Sequence, residues 1–127
     1  GQTGPDPGRF AQVWLRDGST PNGGSWVSSR AMSEFLRRTP ESGSRALGWD
    51  TPERTGSGPS VFGTLAGARA FGHTGWTGTM LWVDPDRDLF LVFLTNRSLD
   101  PRARHSLTAL RNLRSELSDL VIQGASR

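Results

Sequence analysis

The chain predicts an α+β fold, with antiparallel strands in its second half packed against a carboxy-terminal helix. Two apolar runs, Thr79–Val83 and Leu89–Leu94, flank a turn at Asp84-Pro85-Asp86. Their strand length and their content of Leu, Val, Phe and Trp read as a β-hairpin over residues 79–83 and 89–95. Between Pro101 and Ile122, Ala103, Leu107, Leu110, Leu113, Leu117 and Val121 recur at three- and four-residue steps, which is one apolar helix face. The 16 glycines and 8 prolines among 127 residues call for long connections between such elements.

The earlier elements are shorter. Pro7–Arg16 carries Phe10, Val13, Trp14 and Leu15 at helical spacing behind a proline start, with Gly18 as the stop. Ser19–Gly24 is rich in turn formers. Ser29–Arg38 reads as a second helix, capped by Ser28 or Ser29, with Met32, Phe35 and Leu36 facing inward; Thr39-Pro40 ends it. Ala46–Asp50 has the composition of a short strand. Thr51–Ala68, mostly Gly, Ser, Thr and Pro, reads as a long surface loop. For the last helix Asp100 is the expected cap, Pro101 the first helical position and Gly124 the stop. Trp82, Phe90 and Phe93 belong to the core, whereas Trp26 and Trp49 fit either core or surface.

Composition excludes several chemistries. With no cysteine there is neither a disulfide framework nor a thiolate metal site, and the compartment is left open. No apolar run approaches the roughly 20 residues of a membrane span, and GQTGPDPGRF lacks the basic flank and apolar core of a signal peptide. The formal charge is only +3. All 15 basic residues are arginine, a pattern of GC-rich coding rather than of a nucleic-acid partner. Arg104, Arg111 and Arg114 decorate the outer faces of the last helix. His105 sits beside Arg104 at the surface. Asp84, Asp86 and Asp88 lack the glycine and later glutamate of a calcium loop, so no metal and no cofactor are expected.

The most informative string is FGHTGWTGTMLWVDPDRDLFLVFLTNR, residues 71–97. Its ordered pieces are His73-Thr74-Gly75, Trp76-Thr77-Gly78-Thr79, Asp84-Pro85 and Leu94-Thr95-Asn96-Arg97. This order resembles the third motif region of the penicillin-recognising serine hydrolases: class C β-lactamases, D-amino-acid peptidases and related esterases. In that family a Lys-Thr-Gly or His-Thr-Gly tripeptide lies on the edge strand of the central sheet. The resemblance implies a partial β-lactamase-like (transpeptidase-like) fold. It assigns residues 1–127 to the carboxy-terminal portion of such a domain, with 51–68 a long loop inside it.

The family attacks with the serine of a Ser-x-x-Lys motif, aided by the tyrosine of Tyr-x-Asn. This chain contains neither lysine nor tyrosine. The resemblance therefore implies a complementary amino-terminal segment or chain that carries those motifs. It also implies a parent enzyme that cleaves an ester, amide or β-lactam through an acyl-serine. The alternative is a non-catalytic binding or scaffolding fragment of the same fold. As a fragment, the chain is expected to expose a strand edge and an apolar face, and to be ordered with a complementary chain or as a dimer.

Carried over residue by residue, the catalytic set is His73, Thr74, Gly75 and Trp76. The Trp76 backbone N–H would be one of two oxyanion donors. Gly75 would let the backbone approach the scissile carbonyl. Thr74 would offer its hydroxyl to substrate, and His73 would point into the cleft. An unperturbed imidazole is mostly neutral at pH 7 where lysine is charged. This favours an uncharged ester or amide over a carboxylate-bearing substrate, or a hydrogen-bonding role toward the family's tyrosine. In the family the loop before the tripeptide can wall the cleft, which places Trp49 and the 51–68 loop, with Thr77, at the substrate.

Overall fold

The structure, a computed structural model, describes residues 5–52, 59–97 and 106–127. In chain order its elements are α1 (Pro5–Leu15), α2 (Ser29–Leu36), a 3-10 turn (Pro40–Ser42), β1 (Phe71–Thr74), β2 (Met80–Asp84), β3 (Leu89–Phe93) and α3 (Leu107–Ala125). The strands form one antiparallel sheet in the order β1-β2-β3. Phe71 lies opposite Val83, Thr74 opposite Met80, and Met80 opposite Phe93. The α+β arrangement and the hairpin read from sequence are both present.

Strand alternation sorts the core into two layers. On one face Phe71 and Val83 join Ala11 of α1 and Trp49, with Phe10, Trp14, Leu81 and Phe90 packed around them. Trp14, Trp49 and Phe71 meet edge-on with centroids 5.0–5.5 Å apart, the geometry aromatic quadrupoles favour. On the other face Met80 and Trp82 pack with Ile122 of α3 and with Phe62, Ala66 and Ala70. The sheet is thus sandwiched between α1 and the pair formed by α3 and residues 61–70.

Several elements differ from the sequence reading. Residues 46–50 form no strand. Gly48 takes φ +81°, the Ala46 N–H donates to the Trp49 carbonyl at 2.9 Å, and the chain reverses there. Only single bridges remain, Arg45 to Asp50 and Asp50 to Gly72. Residues 59–68 are irregular, as read, but they are tied to the core rather than lying wholly at the surface. Phe62 is 2% exposed and Ala66 8%, and the Thr64 and Leu65 N–H groups donate to Asp119 Oδ1 at 2.8 and 3.0 Å. Residues 53–58 of that segment lie outside the described residues.

The last helix begins later than expected, at Leu107. Ser106 caps it by accepting from the Ala109 N–H at 3.1 Å. Asp100, Pro101 and Ala103 fall outside the described residues. Gly124 lies inside the helix rather than ending it. The larger correction is the buried face, which consists of Arg114, Ser115, Ser118 and Ile122, while Leu107, Leu113 and Leu120 are exposed. Serine is small enough to let α3 approach the sheet closely, and Ser118 also satisfies a polar group buried there. Trp82 Nε1 donates to Ser118 Oγ at 2.9 Å, and Ser118 Oγ donates to the Val61 carbonyl at 2.8 Å.

The hairpin turn is held from within. Asp84 is fully buried. It accepts from the Gly67 N–H at 2.8 Å, the Asp86 N–H at 3.0 Å and Arg87 Nη1 at 3.1 Å. These bonds satisfy a carboxylate that would otherwise be costly to bury.

Candidate functional site

β1 runs to its end beside an open backbone edge. At Gly72 that edge is closed by Asp50, whose N–H donates to the Gly72 carbonyl at 2.8 Å and whose carbonyl accepts in return at 2.9 Å. A side chain at Gly72 would run into the Trp82 backbone, so only glycine lets β1 and β2 approach there. Beyond this bridge, Thr74, Gly75 and Trp76 lead into a tight turn. The Gly75 N–H donates to the Thr79 carbonyl at 2.8 Å, and the Gly78 N–H to the Gly75 carbonyl at 3.1 Å. Gly78 has φ +102°, a region open chiefly to glycine. Among the described residues no acceptor meets the Trp76 N–H.

The structure brings Thr74, Gly75 and Trp76 together at a cavity of about 580 Å³. Its other walls include Val61, Phe62 and Leu110, and four arginines, Arg45, Arg97, Arg111 and Arg114. Trp76 is 75% exposed, with the Arg97 guanidinium 5.0 Å from its ring centroid, a cation–π contact. Arg97 Nη1 is buried without a hydrogen-bond partner among the described residues. Arg114 is 6% exposed, donates through Nη2 to the Gly75 and Thr79 carbonyls at 3.1 and 2.9 Å, and has no partner for its buried Nε among the described residues. Burial, followed by the charges of Arg97 and Arg111, lowers the Arg114 pKa below the usual arginine range.

His73 stands apart. Strand alternation turns it to the face opposite Thr74, where it lines a smaller groove of about 250 Å³ with Pro7, Leu81 and Val92. Thr74 and Gly75 border both cavities and form the wall between them. Trp49 lines neither. It is 8% exposed within the aromatic layer against Phe71 and Trp14, so its place is structural. Thr77 holds the next segment: its carbonyl accepts from the Arg97 N–H at 2.8 Å and from Thr95 Oγ1 at 3.2 Å.

The sequence reading placed Arg111 and Arg114 on solvated faces. The signal for their role was their three-residue spacing, which puts both on one side of a helix, but the leucines next to them advertise a different face.

The beta-lactamase family model matches residues 1–115. Two Salmonella proteins, from Salmonella gallinarum and Salmonella typhi, carry the name D-alanyl-D-alanine carboxypeptidase and are each 37% identical over 87 residues. Those matches take in 65% of this chain and 20% of the relative's length. Among solved structures, a beta-lactamase from Mycobacterium bovis superposes with a TM-score of 0.67 at 28% identity, over 93% of this chain and 42% of that one. The chain thus spans about a fifth of the curated relatives it matches.

Proposed function

Because this chain belongs to the beta-lactamase family, we propose that it is the carboxy-terminal segment of a serine hydrolase and supplies one wall and one oxyanion donor of its active site. The observation that carries this reading is the Trp76 N–H, unpaired among the described residues at the mouth of a cavity. Such a donor, held in a tight turn, is preorganised for the negative oxygen of an acyl-transfer intermediate. The neighbours' names support a hydrolase parent.

In this scheme the nucleophile comes from a complementary amino-terminal segment carrying Ser-x-x-Lys and Tyr-x-Asn, since this chain has neither lysine nor tyrosine. That segment would cover the outer edge of β3, which pairs only with β2 among the described residues. It would also cover the exposed Leu113 and Leu120 of α3. Thr74 offers a hydroxyl at the cleft wall. His73 faces the other groove, away from the arginines.

The arginines alter the substrate reading. A neutral histidine alone favours an uncharged ester or amide, but Arg97, Arg111 and Arg114 give the larger cavity positive charge; among the described residues the one carboxylate in its lining is Asp50, already paired with Arg45 at 2.9 Å. An ester, amide or β-lactam bearing an anionic group fits this cleft best. The second reading, a non-catalytic binding fragment, is favoured for this polypeptide alone by the missing nucleophile motifs.

Ester hydrolysis separates the two readings. The isolated 127 residues are expected to be inert, and the longer protein that contains them to turn over a nitrophenyl ester. Turnover by the isolated chain, or none by the longer one, contradicts the proposal.

A further inference from the structure

We infer that Arg114 is a positioning residue that sets the orientation and donor strength of the Trp76 amide, an assignment that rests on the oxyanion reading above. The Gly75 carbonyl and the Trp76 N–H are two ends of one planar peptide group. Arg114 Nη2 donates to that carbonyl at 3.1 Å and to the Thr79 carbonyl at 2.9 Å, so one guanidinium ties together both ends of the turn between them. The Gly78 N–H reaches the same Gly75 oxygen at 3.1 Å. With two donors on its oxygen, one of them charged, the peptide plane is fixed and electron density is drawn toward the carbonyl. The N–H at the other end becomes a stronger donor.

The setting of Arg114 argues that this contact is more than a helix-to-sheet clamp. A cation 94% removed from solvent, with no partner for its Nε and no ion pair to a carboxylate among the described residues, is costly to bury. Two neutral carbonyls offset that cost poorly, and a leucine or methionine would pack α3 against the turn without it. The cation lies against the Gly75–Trp76 peptide, and Trp76 lines the cavity, where an anionic intermediate would offset the charge. Gly75 itself has no room for a side chain, because a Cβ there would meet the Thr79 hydroxyl. The turn is therefore held from the β2 side by Thr79 and from the α3 side by Arg114.

The test uses the longer protein containing this segment, with Arg114→Met, Arg114→Lys and, by semisynthesis, an α-hydroxy acid in place of Trp76 that deletes its N–H. Arg114→Met is expected to lower kcat for a nitrophenyl ester ten- to a hundredfold, part of the hundredfold or more that a lost oxyanion donor costs, with KM changed less than threefold. Its Trp76 amide proton is expected to shift upfield in the NMR spectrum. Arg114→Lys, which keeps the charge, should recover part of both. A merely structural Arg114 would lower the melting temperature in both variants while leaving kcat per folded molecule and the Trp76 resonance unchanged, and that result overturns the inference. If deleting the Trp76 N–H leaves kcat intact, the oxyanion reading itself fails, whatever Arg114 does to the resonance.

Discussion

Trp82 and Ser118 form the polar pin of the α3–sheet interface: the indole Nε1 donates to Ser118 Oγ at 2.9 Å, with both residues fully buried. Because Ser118 also donates to the Val61 carbonyl, one hydroxyl joins sheet, helix and the 61–70 segment. Ser118→Ala orphans the indole N–H and the carbonyl together. The expected loss is about 2 kcal/mol of unfolding free energy, read as a lower denaturant midpoint at unchanged slope. A variant as stable as the parent would show that water replaces the hydroxyl.

Asp84 organises the hairpin turn in the same way. Asp84→Ala removes the acceptor for two backbone N–H groups and for Arg87. It is expected to cost about 3 kcal/mol, because two backbone N–H groups of the turn lose their acceptor together. Hydrogen exchange should quicken first at Gly67 and Asp86, whose amides lose their acceptor.

Asp86 gives the protein a defined response to acid. Its pKa is lowered, chiefly by the hydrogen bond from the Arg69 side chain and then by that from the Arg69 backbone N–H. A depressed folded-state pKa contributes stability above the unfolded value, near 3.9 for aspartate, and that contribution is lost as pH falls through the folded value. Asp86→Asn should therefore flatten the stability profile below about pH 4 while changing the region near pH 7 least in slope. An identical acid limb in parent and variant would remove Asp86 from the account.

The arginine-lined cleft predicts charge selectivity. Arg97→Ala and Arg111→Ala in the longer protein should each raise KM about tenfold for a carboxylate-bearing substrate, the scale of a lost hydrogen bond to a charged group. KM for a neutral ester should hardly move. The effect of Arg111, which is exposed, should shrink as salt is added. Equal losses for both substrates would mean that the arginines shape the cleft without reading charge.

The sheet was legible because a period of two carries two layers at once: Phe71 and Val83 face α1, while Met80 and Trp82 face α3. Turn chemistry was legible at Asp84-Pro85-Asp86 for similar local reasons. The buried face of α3 was not. Its leucines follow a clean helical stripe, yet Arg114 and Ser118 face the sheet because their partners, the Gly75 carbonyl and the Trp82 indole, lie 39 and 36 residues away in sequence. Local pattern holds no trace of such pairing. The burial within residues 59–68 was missed for the opposite reason, since their proline and glycines read as surface loop while Phe62 anchors the loop in the core. At the site, the order of motifs pointed to Thr74, Gly75 and Trp76, which line one cavity. It could not show that His73 turns to the other side of the strand or that Trp49 is spent on the aromatic layer.

The Trp76 N–H is proposed to hold the oxyanion of an acyl-serine reaction. A crystal structure of the longer protein inactivated by a phosphonate ester tests it most directly. The account predicts a phosphonylated serine outside residues 1–127, with its anionic oxygen about 3 Å from the Trp76 nitrogen. A phosphonyl oxygen held by other donors, with Trp76 turned away, would contradict it.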